Sequence, residues 1–330
     1  MLFLSSKNKP AEPAVPESER IRIGLMGVGH LGQHHARLLA SIPHARLVGI
    51  TDLDFDRAKK FADQYHTTAF KSADEFPSDI QALAIVTPTP THYQIARAGL
   101  QKGLHCFVEK PLTIKVTEAE ELISLAQQKN LVLQVGHVER FNPGVVEMAK
   151  HVQDPVFIET NRLGPYDPRV SHVGVVLDLM IHDIDIVLSL VKDKVVRVEA
   201  LGAKLLSDHE DIAKVTLHFS RGCRADLVAS RASIKRYRKI RVFQPNAYLS
   251  LDYSEKSLKI FKKKKPRVES MLDVSISRPR VAKHEPLDAE LRHFIQCVRE
   301  GKTPLVSGEH GRDALEIVLE IQKQIHVHSL

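Results

Sequence analysis

Several clusters of residues in this sequence have types and spacings suited to chemistry. Gly27-Val28-Gly29-His30-Leu31-Gly32 follows the apolar run Ile21–Met26 and precedes a helical pattern. In such a loop the first glycine allows a tight turn, the second a close backbone approach to a phosphate, and the third close helix–strand packing. Backbone N–H groups around His30 and Leu31, with the helix N-terminal dipole, then suit a pyrophosphate. Asp52 lies twenty residues after Gly32, at the end of the next apolar run. A carboxylate there accepts ribose hydroxyls and repels a 2′-phosphate, which points to NAD rather than NADP. The alternative role for Asp52 is capping the helix that follows. Arg57 can meet a phosphate, but a surface arginine needs no such role.

Glu109-Lys110-Pro111 follows an apolar run, where a lysine can hydrogen-bond a substrate oxygen and favour alkoxide character. Lys110 in an exposed loop fits the pattern equally well. Asp178 and His182 are four residues apart and share a helical face. An imidazole with a carboxylate neighbour takes up a proton near neutral pH; a satisfied helix histidine is the competing reading. His182 with Asp183, Asp185 and His172 lacks diagnostic metal spacing, so no metal is expected. Thr87 and Pro88 lead into Thr91 and His92, and His92 either contacts cofactor or caps locally. Gly136-His137 leads through Arg140 to Asn142-Pro143, a segment suited to a cleft-lining hinge or a plain interdomain linker.

The elements that must position these residues fall into two sets. Strands are expected at Ile21–Met26, Arg46–Thr51, Ala82–Val86, His105–Val108 and Leu131–Val135. Helices are expected at Leu31–Ser41, Asp54–Tyr65, Thr91–Lys102 and Ile114–Gln128. Apolar strands alternating with amphipathic helices make a parallel sheet covered on both faces, an α/β domain over residues 21–136. Beyond it come a helix at Gly174–Leu190 and strands at Val156–Arg162, Val195–Ala203, Ala213–Phe219, Arg224–Ala232, Lys239–Phe243, Ala247–Asp252 and Ser257–Phe261. Separated by turns such as Ser220-Arg221-Gly222, these strands form an antiparallel meander needing the helix as cover. Helices at Leu287–Glu300 and Gly308–Val327 end a second domain of residues 137–330 and are expected to pack back on the first.

Composition narrows the class. With 43% hydrophobic and 26% charged residues, the 330-residue chain reads as a globular protein. Residues 1–20 read as a loose tail too short in its apolar part for a secretory signal. No apolar run is long enough to span a membrane. Cys106, Cys223 and Cys297 form no C-x-x-C pair and suit reduced thiols in a cytoplasmic setting. The net charge of +7 includes Lys262–Lys265 and Arg267, a run suited to anionic ligands or to a solvated hairpin tip. No nucleic-acid-binding motif accompanies it.

Taken in order, the glycine loop, Thr87-Pro88 with His92, Glu109-Lys110-Pro111, Gly136-His137 through Pro143, and Asp178 with His182 resemble the Gfo/Idh/MocA oxidoreductases. The resemblance runs from Ile21 to about Val327. It implies an N-terminal Rossmann domain and a C-terminal α+β domain on a large, mostly antiparallel open sheet that commonly builds a homodimer or homotetramer. It also implies hydride transfer between a sugar carbon and NAD, with Thr87, Pro88, His92, Glu109 and Lys110 beside the cofactor. Lys110 would polarise the hydroxyl, His182 would serve as acid/base, and Asp178 would orient substrate or histidine. Within the family, Gly136–Pro143, Arg162–Pro165, Val175–Ile186 and Ala229–Arg231 most resemble members that oxidise the 3-hydroxyl of UDP-N-acetylglucosamine for a pyridoxal-phosphate aminotransferase in lipid A precursor synthesis. A UDP-sugar's diphosphate would then need cations, for which Arg162, Arg169, Arg231 and Lys235 are expected, with Arg140 and Asn142 lining the cleft. The alternatives are dehydrogenation of another nucleotide sugar, a free sugar or an inositol, and a non-catalytic NAD-binding regulator.

Overall fold

The computed structural model describes residues 15–329. The expected tail falls mainly outside them; Glu17–Glu19 forms a short 3-10 turn, and Glu17 pairs with Arg20 and Arg46. The first sheet contains β1 (Ile21–Met26), β2 (Ala45–Thr51), β3 (Ala69–Phe70), β4 (Ala82–Ile85), β5 (His105–Glu109) and β6 (Leu133–Gly136). All six are parallel, in the order β3-β2-β1-β4-β5-β6. This order reverses at β1, so the adjoining strand ends open a crevice on their carboxyl side. The two-residue β3 is too short for any periodicity to announce it.

Helices α1 (Gly32–Ser41), α2 (Phe55–Gln64), α3 (His92–Gln101) and α4 (Val116–Gln128) fill the crossovers. Asp54 caps α2 by accepting the Arg57 N–H. One face of the sheet buries Ile23, Leu25 and Ile50 with Ala36 and Leu39 of α1. The opposite face buries Leu83 and Val108 with Leu100 of α3 and Leu122 of α4.

Next in the chain come α5 (Pro143–Ala149), β7 (Phe157–Leu163), a π turn at Val176–Met180 and α6 (Ile181–Val191). The single helix expected over Gly174–Leu190 is therefore divided, its first part wound more widely. The strands that follow are β8 (Val195–Lys204), β9 (Ile212–Phe219), β10 (Arg224–Ser230), β11 (Tyr237–Gln244), β12 (Ala247–Asp252), β13 (Ser257–Lys263) and β14 (Val274–Ser277). Helices α7 (Pro286–Glu300) and α8 (Gly308–Gln324) then lead into β15 (His326–Ser329). The predicted helix to Val327 thus ends early. Ile325 is extended and seats its side chain against Gly202, and the chain adds an edge strand parallel to β8.

The second sheet has nine strands in the order β14-β13-β12-β11-β7-β10-β9-β8-β15. It is antiparallel except for β7 with β10 and β8 with β15. Alternation along β9 sends Ala213, Val215, Leu217 and Phe219 to one face, where α6 covers them with Ile184 and Val187 and α8 with Val318 and Ile321. The other face carries an uncovered ladder of Phe157, Phe243, Tyr248 and Phe261, with successive ring centroids 5.6, 4.8 and 5.3 Å apart. Among the described residues no helix is long and apolar enough to cross a membrane.

Helix α7 returns to the first sheet. Leu291, Phe294, Ile295 and Cys297 join the core that holds Ile23 and Leu25. The three cysteines are free and buried.

Candidate functional site

The glycine loop has the geometry a dinucleotide requires. Gly27 adopts φ +88°, and a Cβ there would meet the Val86 carbonyl oxygen at 2.5 Å. A Cβ on Gly32 would strike the Gly27 carbonyl, whereas Gly29 faces open space. Phosphate can therefore approach the Gly29 backbone at the start of α1, so the loop fits the cofactor. His30 and Leu31 occupy the turn between Gly29 and Gly32. An open cavity of about 520 Å³ adjoins the loop, lined by Gly29, His30, Asp54 and Arg57.

Asp52 ends the β2 segment with its carboxylate well engaged. One oxygen accepts the Val28 N–H at 2.7 Å; the other accepts the Asp54 N–H at 2.9 Å and Arg57 Nη2 at 2.6 Å. Burial alone would raise its pKa, but these bonds, led by Arg57, hold it below the usual carboxylate value. Asp52 is thus a fixed anion beside the cavity that Val28, Asp54 and Arg57 line, paired with Arg57.

Thr87 and Pro88 lie beyond β4 on the same edge. His92 differs from the expectation of cofactor contact. It is buried, with Nδ1 2.9 Å from the Pro111 carbonyl and Nε2 2.8 Å from the Thr87 carbonyl. Both ring nitrogens are consumed in clipping two loops together. Glu109 is likewise internal: its carboxylate meets His35 Nε2 at 2.8 Å and accepts the Lys110 N–H at 3.1 Å. It supports the Lys110 backbone instead of reaching cofactor.

Lys110, Asp178 and His182 are brought together. Lys110 Nζ donates to the Asp178 carbonyl at 2.7 Å and lies 3.6 Å from its carboxylate. The wide π turn that contains Asp178 departs from the ordinary i→i+4 ladder. Asp178 therefore orients the lysine, and among the described residues it makes no hydrogen bond to His182. His182 is half-buried at the start of α6, and its Nδ1 is shielded without a protein partner. Burial, then the nearby Lys110 and Arg162, keep the imidazole neutral far below its usual pKa. A neutral imidazole beside an ammonium is equipped to take a proton from a hydroxyl held between them.

The remaining basic residues sort by saturation. Arg162, 3% exposed, forms a fork with both Asp183 oxygens at 2.8 Å and reaches Glu139 at 2.8 Å. Arg231 spends its donors on Asp211, Ser207 and the Val170 and Val173 carbonyls. Both were expected as diphosphate anchors; the geometry makes them internal struts, because both are buried and every guanidinium nitrogen is already engaged by a protein partner. Arg140 binds Asp185 and the Leu305 carbonyl, and Asn142 caps α5 while donating to Glu139. Neither is left free as expected for cleft lining. Arg169 is exposed, paired among the described residues only with Asp167, and Lys235 is exposed on the β10–β11 loop.

Two residues at the site escaped the sequence reading. Arg238 on β11 lies beside Arg162 in register, approaches Glu139 only at 3.9 Å, and adds to the positive field at His182. Burial and the neighbouring Arg162 lower its pKa, the signature of a cation short of anions. His137, read only as part of a hinge, is 1% exposed beside His182, with ring centroids 6.5 Å apart. Among the described residues no cluster of His, Cys, Asp and Glu has the makings of a metal site.

With the glycine cradle and the Lys110–Asp178–His182 cluster described, comparison with known proteins becomes informative. Residues 21–137 match the family model of the Gfo/Idh/MocA oxidoreductases with an NAD-binding Rossmann fold, and residues 154–249 match that family's C-terminal domain. The chain belongs to the Gfo/Idh/MocA family. It is therefore an NAD-dependent oxidoreductase. It is 34% identical to the UDP-N-acetylglucosamine 3-dehydrogenase of Acidithiobacillus ferrooxidans across 92% of this chain and 96% of that protein. The solved structure of that relative superimposes with a TM-score of 0.88, covering 93% of this chain and 97% of the other. A myo-inositol 2-dehydrogenase of Thermotoga maritima is 26% identical across 92% of this chain and 96% of that protein.

Proposed function

We propose that this protein oxidises the 3-hydroxyl of UDP-N-acetylglucosamine to a ketone with NAD, Lys110 polarising the hydroxyl and His182 taking its proton. The observation that carries the mechanism is the meeting of Lys110 Nζ with Asp178, beside a neutral His182, at the carboxyl edge of the NAD-binding sheet. Identity across nearly the whole chain to a UDP-N-acetylglucosamine 3-dehydrogenase supports the substrate.

The cofactor, when bound, supplies the hydride acceptor. Gly27, Gly29 and Gly32 give its pyrophosphate room, His30 and Leu31 carry loop N–H groups toward it, and Asp52 receives the adenosine ribose once Arg57 swings aside. Thr87 and Pro88 border the nicotinamide half. Lys110 stabilises negative charge on the reacting oxygen in a site that excludes water. Asp178 fixes the lysine's direction. Arg238, with the exposed Arg169 and Lys235, receives the diphosphate, since Arg162 and Arg231 are buried with every guanidinium nitrogen engaged inside the protein.

The ketone product suits transamination, which makes a pyridoxal-phosphate aminotransferase the natural next enzyme in a lipid A precursor route in the cytoplasm. A second copy of the chain covers the aromatic ladder on the open sheet, as in a homodimer or homotetramer. The decisive experiment is NADH formation against a panel of UDP-sugars, free sugars and inositols, with the product mapped by NMR. Turnover is expected with UDP-N-acetylglucosamine and a carbonyl at its third carbon. Turnover of free inositol in preference to every UDP-sugar would overturn the substrate reading.

A further inference from the structure

Oxidation of a carbinol produces one hydride and one proton. Where the hydride goes is settled by the cofactor; where the proton goes is a question for the protein. In the proposed complex, substrate and cofactor fill the space in front of His182. Behind His182, however, lies a buried polar route.

His137 follows β6 directly, its N–H held by the Val135 carbonyl at 2.8 Å. The ring stands nearly perpendicular to that of His182, at 88°, with centroids 6.5 Å apart. Nδ1 and Nε2 of His137 and Nδ1 of His182 are all buried without protein partners. Leaving three such atoms unpaired would be costly; one water bridging the two rings would satisfy two of them, and a second on the far side of His137 the third. Lys110, Arg140 and His310 also face His137, and all disfavour its protonated form after burial itself, bringing its pKa down to about 3. Arg162 and Arg238 act on His182 in the same direction. Each ring therefore relaxes to neutral after carrying a proton, as a shuttle must.

On the far side, Arg140, Asp185 and His310 line a cavity of about 540 Å³ that also touches Lys192, Lys194 and Asp313 and opens to solvent. Asp185 keeps one carboxylate oxygen on Arg140 while the other is buried and unpartnered. Burial, partly offset by Arg140, raises its pKa to about 7, so it exchanges protons near neutrality. Glu290 adds a further buried carboxyl on this side, held protonated by burial and by Glu109 and Asp185.

We propose that His137 relays the substrate proton from His182 to the cavity lined by Arg140, Asp185 and His310. The substrate O–H bond breaks as His182 gains the proton. His182 passes it through a bridging water to His137, and His137 returns to neutrality by releasing it through a second water to Asp185 or His310 and thence to bulk water. The carbon's hydride leaves separately to NAD, so atoms and charge balance. This relay rests on the assignment of His182 as acid/base and extends it by naming the residue through which His182 is reset.

The test compares His137→Phe, which keeps the ring volume, with His182→Asn, assaying NAD and UDP-N-acetylglucosamine in H₂O and D₂O with and without added imidazole. His137→Phe is expected to lower kcat by about tenfold with KM changed less than about twofold. The solvent isotope effect on kcat should grow, and imidazole should restore part of the rate. Histidine ¹⁵N NMR of the NAD-free protein supplies a readout independent of turnover: the His182 signals should move in His137→Phe. If the phenylalanine variant folds poorly, His137→Gln is measured in the same way, and Asp185→Asn should show a milder version of the same isotope effect. Wild-type kcat and isotope effect in the His137 variants, with His182→Asn inactive, overturn the relay alone. A lowered kcat with no change in isotope effect and no rescue marks His137 as packing and also overturns it. Full turnover by His182→Asn would instead remove the acid/base assignment.

Discussion

Two neighbouring charge clusters at the junction of the domains make opposite use of similar side chains. In the Arg162–Asp183–Glu139 cluster every guanidinium edge has an acidic partner at hydrogen-bond distance, and the arginine is almost fully buried. A few residues away, Lys110, His182, His137 and Arg238 share a cation-rich space with unpaired ring nitrogens. Saturation turns charge into scaffold, while deliberate under-pairing leaves it for a ligand. The distinction depends on donors left over, not on residue type.

The largest effect should come from the under-paired cluster. His182→Asn is expected to lower kcat by about 10²–10⁴-fold while leaving the urea midpoint nearly unchanged. Lys110→Met should cost about 10²–10³-fold in kcat with NAD still bound, measured by cofactor titration. A stability loss matching the activity loss in either variant would erase the contrast between the clusters. Arg162→Met should do the reverse, removing about 3–5 kcal/mol of unfolding free energy by stranding Asp183 and Glu139. A stable Arg162→Met protein with only a raised KM for the UDP-sugar would return Arg162 to the anchors.

Arg238→Met sharpens the comparison. Its KM for UDP-N-acetylglucosamine should rise by about tenfold, the scale of one charge-assisted hydrogen bond, with unchanged unfolding in urea. The two clusters' surroundings also differ in pH dependence. His137 titrates near 3 when folded against 6.5 ordinarily, so between those values the unfolded chain binds a proton that the folded chain refuses. Wild-type stability gains from this site as pH rises, and His137→Phe should lose that gain. Asp185 carries the opposite sign: its folded pKa of about 7 against 3.8 means the folded state holds the extra proton, and stability drains away as pH rises through that window. Denaturation of Asp185→Asn from pH 4 to 8 should show a flatter fall than wild type; a steeper one would contradict the assignment.

The architecture was largely legible because hydrophobic period and turn residues act locally. Ile21–Met26 and Ala247–Asp252 have the boundaries their patterns suggest. The π turn was invisible, since Asp178 and its neighbours carry no local signal for the wide winding that presents Asp178 to Lys110. The glycine loop, Lys110, Asp178 and His182 stood out because their types and spacings are unusual. The basic residues did not sort, since partners such as Asp183 for Arg162 lie distant in sequence and meet only on folding. Arg238 sits in Arg236-Tyr237-Arg238-Lys239, where nothing but sheet register distinguishes one cation from the next.

Helix α7 has a consequence for synthesis. The first sheet's core closes over Leu291, Phe294 and Ile295, residues made long after the last of its own strands. A nascent chain that has just emitted β6 presents Ile23, Leu25 and Ala36 on an unfinished face, and must wait for about 150 further residues at about 5–20 residues per second before that face is sealed. The NAD-binding half is therefore born first and finished late, so a fragment ending at Gly136 would leave the ribosome with a greasy, aggregation-prone surface in place of a working module.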